Sequence, residues 1–144
     1  MRKGSIAAAA AIFAIFLFSS LLFTSAASAA TSRIAQIIDV EGEATVRKAG
    51  GTKAFTAYRS MYLNEGDYLM TGEGAIVTIK IVDQEDEVIV EENSELYISQ
   101  LREESGKKKS GFKMWLGSLW AKINPFGNDN EVEVETPTAV MGVR

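Results

Sequence analysis

The sequence EVEVETPTAVMGVR, residues 131–144, decides the fold class of this chain. Val132 and Val134 alternate with glutamates, and that period of two is typical of a strand with one buried face. Pro137 has no backbone N–H for a strand ladder and favours extended geometry at Thr136, so strand pairing is expected to pause there. A new apolar run begins at Ala139. The stretch therefore predicts a strand, a proline break and a second strand.

The same period of two recurs upstream. In the first of these segments Ile38 and Val40 fall on one face, and Gly42 is predicted to lie at a bulge or at a bend where two strands meet. The last two thirds of the chain contain a predicted hairpin and a further strand. The predicted strands are residues 38–46, 75–82, 88–90 and 94–99.

Two charged segments separate these strands. The acidic run at residues 83–87 is interpreted as a hairpin tip held in water by repulsion between its carboxylates. A calcium site is the alternative, but the glycine and the distal glutamate of an EF-hand loop are missing, so no metal is expected. Residues 103–110, rich in lysine, are predicted to form an exposed loop.

The string LNEGDYLMTG, residues 63–72, is typical of a tight turn leading into a strand. Gly66 is predicted to have a positive φ, and Asp67 is a turn former. Thr71 and Gly72 begin the next turn. These four residues are predicted to have structural roles.

Residues 112–123 allow two interpretations. Phe112, Trp115 and Leu116 begin a spacing that predicts an amphipathic helix. Gly117 in the middle of that segment disfavours a helix by about 1 kcal/mol. The residue pattern alone leaves helix and strand open.

The first 29 residues are predicted to be a secretory signal peptide, cleaved after Ala29. Arg2 and Lys3 precede an uncharged apolar stretch at residues 6–23, and small residues precede Ala30. The alternative is an uncleaved anchor, because the stretch is about long enough to span a bilayer. Both alternatives place residues 30–144 outside the cytoplasm: secreted, on the cell surface or in the periplasm. Membrane contact is expected only through an uncleaved N-terminal segment.

The composition excludes several function classes. Without residues 1–29 the chain has 13 Lys and Arg against 19 Asp and Glu, a net charge of −6, which disfavours nucleic acid and anionic membranes as partners. No histidine is present, which excludes Ser-His-Asp and Cys-His catalysis and the usual zinc sites. No cysteine is present, so a hydrophobic core must stabilise the fold. No cofactor is expected.

Four motifs together resemble the FecR-like domain, a β-rich module of bacterial envelope and secreted proteins. They are the closing motif, with Thr136, Pro137, Gly142 and Arg144; the turn at residues 63–72; the element SELYI at residues 94–98; and WLGSLWAKI at residues 115–123. The resemblance covers about residues 37–144. It implies that residues 112–123 are strands around a kink at Gly117. It also implies a chain truncated at Arg144, or the first part of a longer protein, because the family pattern continues beyond this arginine.

The predicted fold is therefore all-β: a small β-sandwich or short β-roll of eight or nine mostly antiparallel strands, following the signal peptide. In well-known members of the FecR-like family the domain relays a siderophore-receptor signal to a cytoplasmic segment that controls a sigma factor. Here the apolar stretch begins at Ile6 and leaves no room for that segment. The expected function is a non-catalytic exported module that binds a protein or an envelope polymer.

Two alternative functions remain. One is an extracytoplasmic sensor in a sigma-factor pathway that works with a separate chain. The other is a carbohydrate-active enzyme or polysaccharide-binding domain. Glycoside hydrolysis needs two carboxyl groups flanking a cleft, whereas the acidic residues here alternate outward along strands, so an enzyme is not expected.

The candidate interaction surface has two parts. Trp115 and Trp120 are either core residues or stacking residues, and the strand interpretation turns one of them outward. The last strand is expected to offer a free edge that pairs with another chain by β-augmentation, including a second copy of this one. The residues assigned to that strand are Ala139, Val140, Met141 and Val143.

Overall fold

A computed structural model of the protein describes residues 28–124, 130–137 and 139–143, the last range through its backbone only. Residues 1–27 of the predicted signal peptide, and Arg144, lie outside the described residues. Within the described ranges the chain forms two β-sheets and no helix, so the predicted all-β class is confirmed. None of the described residues forms a helix long and apolar enough to cross a membrane.

The described residues form thirteen strands rather than eight or nine, because several short edge segments pair as well. In chain order they are β1 (Thr31–Ser32), β2 (Ala35–Glu41), β3 (Ala44–Arg47), β4 (Ala54–Thr56), β5 (Tyr62–Leu63), β6 (Tyr68–Thr71), β7 (Ile76–Ile81), β8 (Glu87–Val90), β9 (Glu95–Glu104), β10 (Lys107–Leu116), β11 (Leu119–Lys122), β12 (Asn130–Thr136) and β13 (Ala139–Val143).

The two sheets differ in size. The larger sheet has the order β13-β12-β10-β9-β6-β3-β4, with β1 paired to β9. The smaller sheet has the order β11-β8-β7-β2-β5. All pairs are antiparallel except β10 and β12, which run parallel. A parallel pair needs a crossover, and here β11 provides it in the opposite sheet.

One hydrophobic core lies between the sheets. The smaller sheet contributes Ile37, Ile79 and Val90, and the larger sheet contributes Leu96 and Phe112, all almost completely buried. Burying side chains of this size contributes about 1.5–3 kcal/mol each. The alternation predicted for residues 75–82 and 94–99 is confirmed, as is the hairpin of residues 75–82 with 88–90.

Two glycines mark the corners where the chain changes sheets. Gly42, with φ at +75°, separates β2 in the smaller sheet from β3 in the larger one, which confirms the predicted bend. The strand signal over residues 38–46 therefore belongs to two strands that meet at Gly42, one of the two possibilities predicted. A bulge between Ile37 and Asp39 also shifts the buried face, so Ile37 is fully buried while Ile38 is half-buried.

Gly117 makes the second corner, between β10 and β11, with φ at +92°. A Cβ at this position would lie 2.6 Å from the Cα of Ser94, so only glycine fits without a rearrangement of the backbone. The strand interpretation of residues 112–123 is therefore confirmed, and the helical spacing of their apolar residues is coincidental.

The prediction of an exposed loop at residues 103–110 is wrong. β9 and β10 form a continuous hairpin through this segment, closed by a two-residue turn at Ser105 and Gly106. Both turn residues have positive φ, the geometry that matches the twist of paired strands. Charges on the strands are paired across the ladder, as in the contact of Lys109 Nζ with Glu104 Oε2 at 3.1 Å.

Candidate functional site

Gly66 and Asp67 hold the turn before β6. Gly66 has φ at +91°, which confirms the predicted positive value, and a Cβ added there would lie 2.8 Å from the Cβ of Ala49. Asp67 is buried, and its carboxylate accepts backbone N–H groups from Ala49 at 2.9 Å and Asn64 at 3.0 Å. The ammonium of Lys48 donates to the same carboxylate at 2.7 Å. The three polar contacts therefore tie two turns together.

Thr71 and Gly72 join β6 to neighbouring turns. The Thr71 hydroxyl donates to the carbonyl of Glu91 at 2.6 Å and accepts the N–H of Ser94 at 2.9 Å. The Gly72 N–H donates to the carbonyl of Glu43 at 2.8 Å. All these contacts are internal to the fold.

Trp115 and Trp120 flank the Gly117 corner, and both are exposed, at 56% and 66%. The prediction that one of them packs in the core is wrong. Because the chain changes sheets at Gly117, the strand alternation does not continue across it. Trp115 follows the buried Met114 and faces outward from the larger sheet, while Trp120 lies on β11, the edge of the smaller sheet.

Glu91 anchors the second tryptophan. The Ser118 hydroxyl and the Trp120 indole N–H each donate to a different oxygen of the Glu91 carboxylate, the indole contact being 2.8 Å. These two hydrogen bonds, with the one from Ser118 contributing more, lower the pKa of Glu91. The corner thus presents a fixed indole at the surface.

The closing motif forms two strands on either side of Pro137, as predicted, and the structure shows that β12 and β13 pair as a hairpin. Val132 and Val134 are buried, and Thr136 pairs with Ala139 at the turn. Gly142 pairs with Glu133. Among the described strands β13 is the last of its sheet, with β12 as its neighbour. The side chains of Ala139, Val140, Met141 and Val143 lie outside the described part of the chain.

The interpretation that repulsion between carboxylates holds the acidic run in water is wrong. Asp83 binds the guanidinium of Arg33 through two hydrogen bonds, at 2.7 and 2.8 Å, and lies 3.4 Å from the ammonium of Lys108. The hydrogen bonding of Arg33 lowers the pKa of Asp83. Asp86 is buried and accepts the backbone N–H of Asn124 at 2.7 Å. In the described ranges no three acidic residues group as metal ligands.

A groove that sequence analysis missed lies at the opposite side of the sandwich from the tryptophans. β4 ends the larger sheet here and β5 ends the smaller one, and the space between their edges has a volume of about 450 Å³. The groove is lined by Val46, Lys48, Phe55, Tyr58, Met61, Tyr62 and Asn64. We call this site the edge groove.

Phe55 shows that the edge groove is an open part of the interior. It pairs across the ladder with Val46, so both side chains are on the inner face of the larger sheet. Val46 is fully buried, whereas Phe55 is 46% exposed. The smaller sheet ends at the two-residue strand β5, so no further described strand of that sheet faces the ring.

Two tyrosines complete the aromatic lining, Tyr58 at 60% and Tyr62 at 57% exposure. They flank a turn in which the Met61 N–H donates to the Tyr58 carbonyl. Ser60 in that turn has φ at +75°, a conformation normally reserved for glycine and strained for serine. The fold therefore maintains a strained backbone between the two exposed rings.

Lys48 closes one end of the edge groove. Its ammonium donates to the Tyr62 carbonyl at 2.5 Å as well as to Asp67. Since Lys48 follows β3 and Tyr62 belongs to β5, this side chain links the two sheets below the aromatic rings.

The segment that lines the edge groove has a charge opposite to that of the whole chain, although its Lys48 is paired with Asp67. Residues 44–64 contain Arg47, Lys48, Lys53 and Arg59 and no acidic residue, in a chain with an excess of acids. Lys53 Nζ lies 5.2 Å from the centre of the Phe55 ring. This local absence of acids, together with three aromatic residues in the same segment, is the sequence signal that could have located the groove.

Comparisons of the chain with protein-family models, curated proteins and solved structures found no match in any of the three. The functional proposal therefore rests on the surfaces described above. The lining of the edge groove offers aromatic and apolar area beside the ammonium group of Lys48, which is chemistry suited to binding.

Proposed function

We propose that the protein is an exported, non-catalytic interaction module of the FecR-like type, which binds a protein or a polymer of the cell envelope. The observation that carries the proposal is the edge groove, where Phe55, Tyr58 and Tyr62 expose their rings around one concavity. Isolated exposed hydrophobic residues are ordinary, but a concave cluster of aromatic residues with a few polar groups is typical of a binding site.

The composition and the sequence motifs support the same proposal. Residues 1–29 contain basic residues, then an apolar stretch and then small residues, and this order supports export. The absence of histidine and cysteine excludes the common nucleophilic triads. The FecR-like resemblance supports a location in the envelope. Binding on a rigid strand scaffold then needs no catalytic group.

The test is co-sedimentation with washed envelope fragments of the organism that encodes the chain, using the full chain as exported. We expect the protein to sediment with the fragments. The double substitution Phe55→Ser with Tyr58→Ser should lower the bound fraction about tenfold, since buried aromatic anchors commonly dominate binding.

The matched control is Ile76→Ser with Val82→Ser, which removes two exposed hydrophobic side chains outside the edge groove. This control should bind as the unchanged protein does. Absence of sedimentation, or equal sedimentation of the groove variant and the control, would contradict the proposal.

A further inference from the structure

We infer that the edge groove receives an extended, acidic polypeptide segment, which adds to the larger sheet as a new strand beside β4. The inference rests on the proposed function and names the class of partner and its mode of binding. Three features of the groove carry it: a free strand edge, an uncovered inner face and a local positive charge.

The free edge belongs to β4. The Ala57 N–H donates to the Ala44 carbonyl at 2.8 Å, and the register then gives Phe55 the same hydrogen-bonded position opposite Val46. In an antiparallel ladder the intervening residues direct their N–H and C=O groups to the other side. Ala54 and Thr56 therefore direct theirs away from β3, where no described strand follows.

The uncovered inner face determines what the added strand would cover. A strand beside β4 extends the larger sheet over the groove, and every second side chain of that strand would face inward. Those side chains would continue the core from Val46 and Phe55 toward Tyr62. An apolar residue at these positions would cover the half-exposed Phe55 ring, as core neighbours cover Val46.

The charge beside the groove favours a segment with a net negative charge. Lys53 and Arg59 are exposed beside the groove, and residues 44–64 offer no carboxylate to pair with them. Opposite charges on a partner guide association and select against basic segments. A segment that alternates apolar and acidic residues satisfies both the inner face and this charge.

The experiment uses the full chain and isothermal titration calorimetry. The main probe is a short peptide in which glutamate and valine alternate, and the charge control replaces each glutamate with lysine. We expect the acidic peptide to bind about tenfold more tightly than the basic one, with a difference that shrinks as salt rises. Lys53→Glu together with Arg59→Glu should reverse the preference.

Strand addition has its own test, on the peptide, so that the protein stays unchanged. One peptide carries N-methyl groups on its valines and another on its glutamates. Since alternate N–H groups of a strand point to opposite edges, only one of the two methylated peptides should lose binding. On the protein side, Thr56→Pro removes an outward N–H that β3 does not use, and it should weaken binding without lowering the thermal midpoint appreciably.

Several outcomes would overturn the inference. The first is that calorimetry detects no binding of the acidic peptide. The second is that the two methylated peptides bind equally. The third is that polygalacturonate binds in the groove in place of the peptide. The last result would keep the edge groove as the binding site and replace the partner class by an anionic polysaccharide. If the Phe55→Ser, Tyr58→Ser variant also sediments normally with envelope fragments, the proposed function falls with the inference.

Discussion

The guanidinium of Arg33 and the carboxylate of Asp83 meet in two parallel hydrogen bonds, Nε to Oδ2 at 2.8 Å and Nη2 to Oδ1 at 2.7 Å. The Arg33 side chain is nearly buried and also donates to the Lys109 carbonyl and the Ser110 hydroxyl. The hydrogen bonds of Arg33 thus connect the segment between β1 and β2 with the acidic run and with β10.

We expect Asp83→Asn to lower the free energy of unfolding by about 1–2 kcal/mol, because it leaves the buried Arg33 cation without its counter-ion at a partly solvated site. Glu85→Gln is the matched control, since Glu85 belongs to the same run and is exposed. Urea denaturation measures both variants. Equal stability of the two would show that the ion pair contributes nothing.

The same pair predicts a dependence of stability on pH. The pKa of Asp83 is lowered in the folded protein, first by the hydrogen bonding of Arg33, so the folded state holds the ionised carboxylate better than the unfolded state does. The stabilisation is therefore fully present above the ordinary pKa of 3.8 and is lost as pH falls through the lowered folded value.

Thermal unfolding between about pH 5 and pH 2 tests this dependence. The unchanged protein should lose stability more steeply than Asp83→Asn over that window. Glu65 contributes a loss common to both proteins: burial raises its pKa, but hydrogen bonds from Arg102 and Leu101 and the charge of Arg102 outweigh burial and lower it. Parallel curves would contradict the assignment to Asp83.

Gly66 and Gly74 separate two effects of a positive φ. Both glycines have a positive φ. A Cβ added at Gly66 would lie 2.8 Å from Ala49, whereas a Cβ added at Gly74 would meet open space. Gly74→Ala should destabilise by about 1 kcal/mol through backbone strain alone. Gly66→Ala should cost about 1–3 kcal/mol more, because of overpacking. Equal losses in thermal unfolding would mean that the turn adapts to the added methyl group.

Hydrogen exchange of β13 tests its position at the sheet edge. As a strand with one described neighbour, it should show alternating slow and fast amide exchange in a dilute monomer, slow where the N–H faces β12. Uniformly slow exchange across Val140–Val143 would show that its outer side is already covered. β-augmentation there would then fail.

The N-terminus offers a test of export. We expect mass spectrometry of the exported protein to find Ala30 as the first residue, because small residues at Ala27 and Ala29 match a signal-peptidase site. A membrane-bound product that starts at Met1 would instead support the uncleaved anchor.

The all-β class could be predicted from the sequence because burial alternates within single strands. Val77 and Ile79, or Val132 and Val134, show this pattern without knowledge of their neighbours. The β9–β10 hairpin could not be predicted in this way. Its charged residues lie on paired strands, where Lys109 forms an ion pair with Glu104. In the sequence, such a run of charged residues is equally typical of an exposed loop.

The edge groove and the tryptophan corner depend on relationships between distant residues. Phe55 is half exposed because β5, in the other sheet, ends after two residues. Trp115 and Trp120 are exposed because Gly117 transfers the chain between sheets. A one-dimensional pattern contains neither the length of a facing strand nor the sheet to which the next strand belongs.

The path of the chain through β10, β11 and β12 affects the rate of folding. The parallel partner of β10 arrives only after the chain has crossed to the other sheet and returned, and Thr31 pairs with Glu103, which is 72 residues later in the sequence. Such remote pairings lose chain entropy before their contacts form, and they slow folding into the millisecond-to-second range of all-β domains, on the order of 1–1000 ms. If the chain is exported unfolded, as proposed above, its valine-rich strands are exposed for that interval, when encounters with other unfolded chains are most hazardous. The lysines and glutamates along β9, β10 and β12 then act as gatekeepers against aggregation before they act as ladder partners.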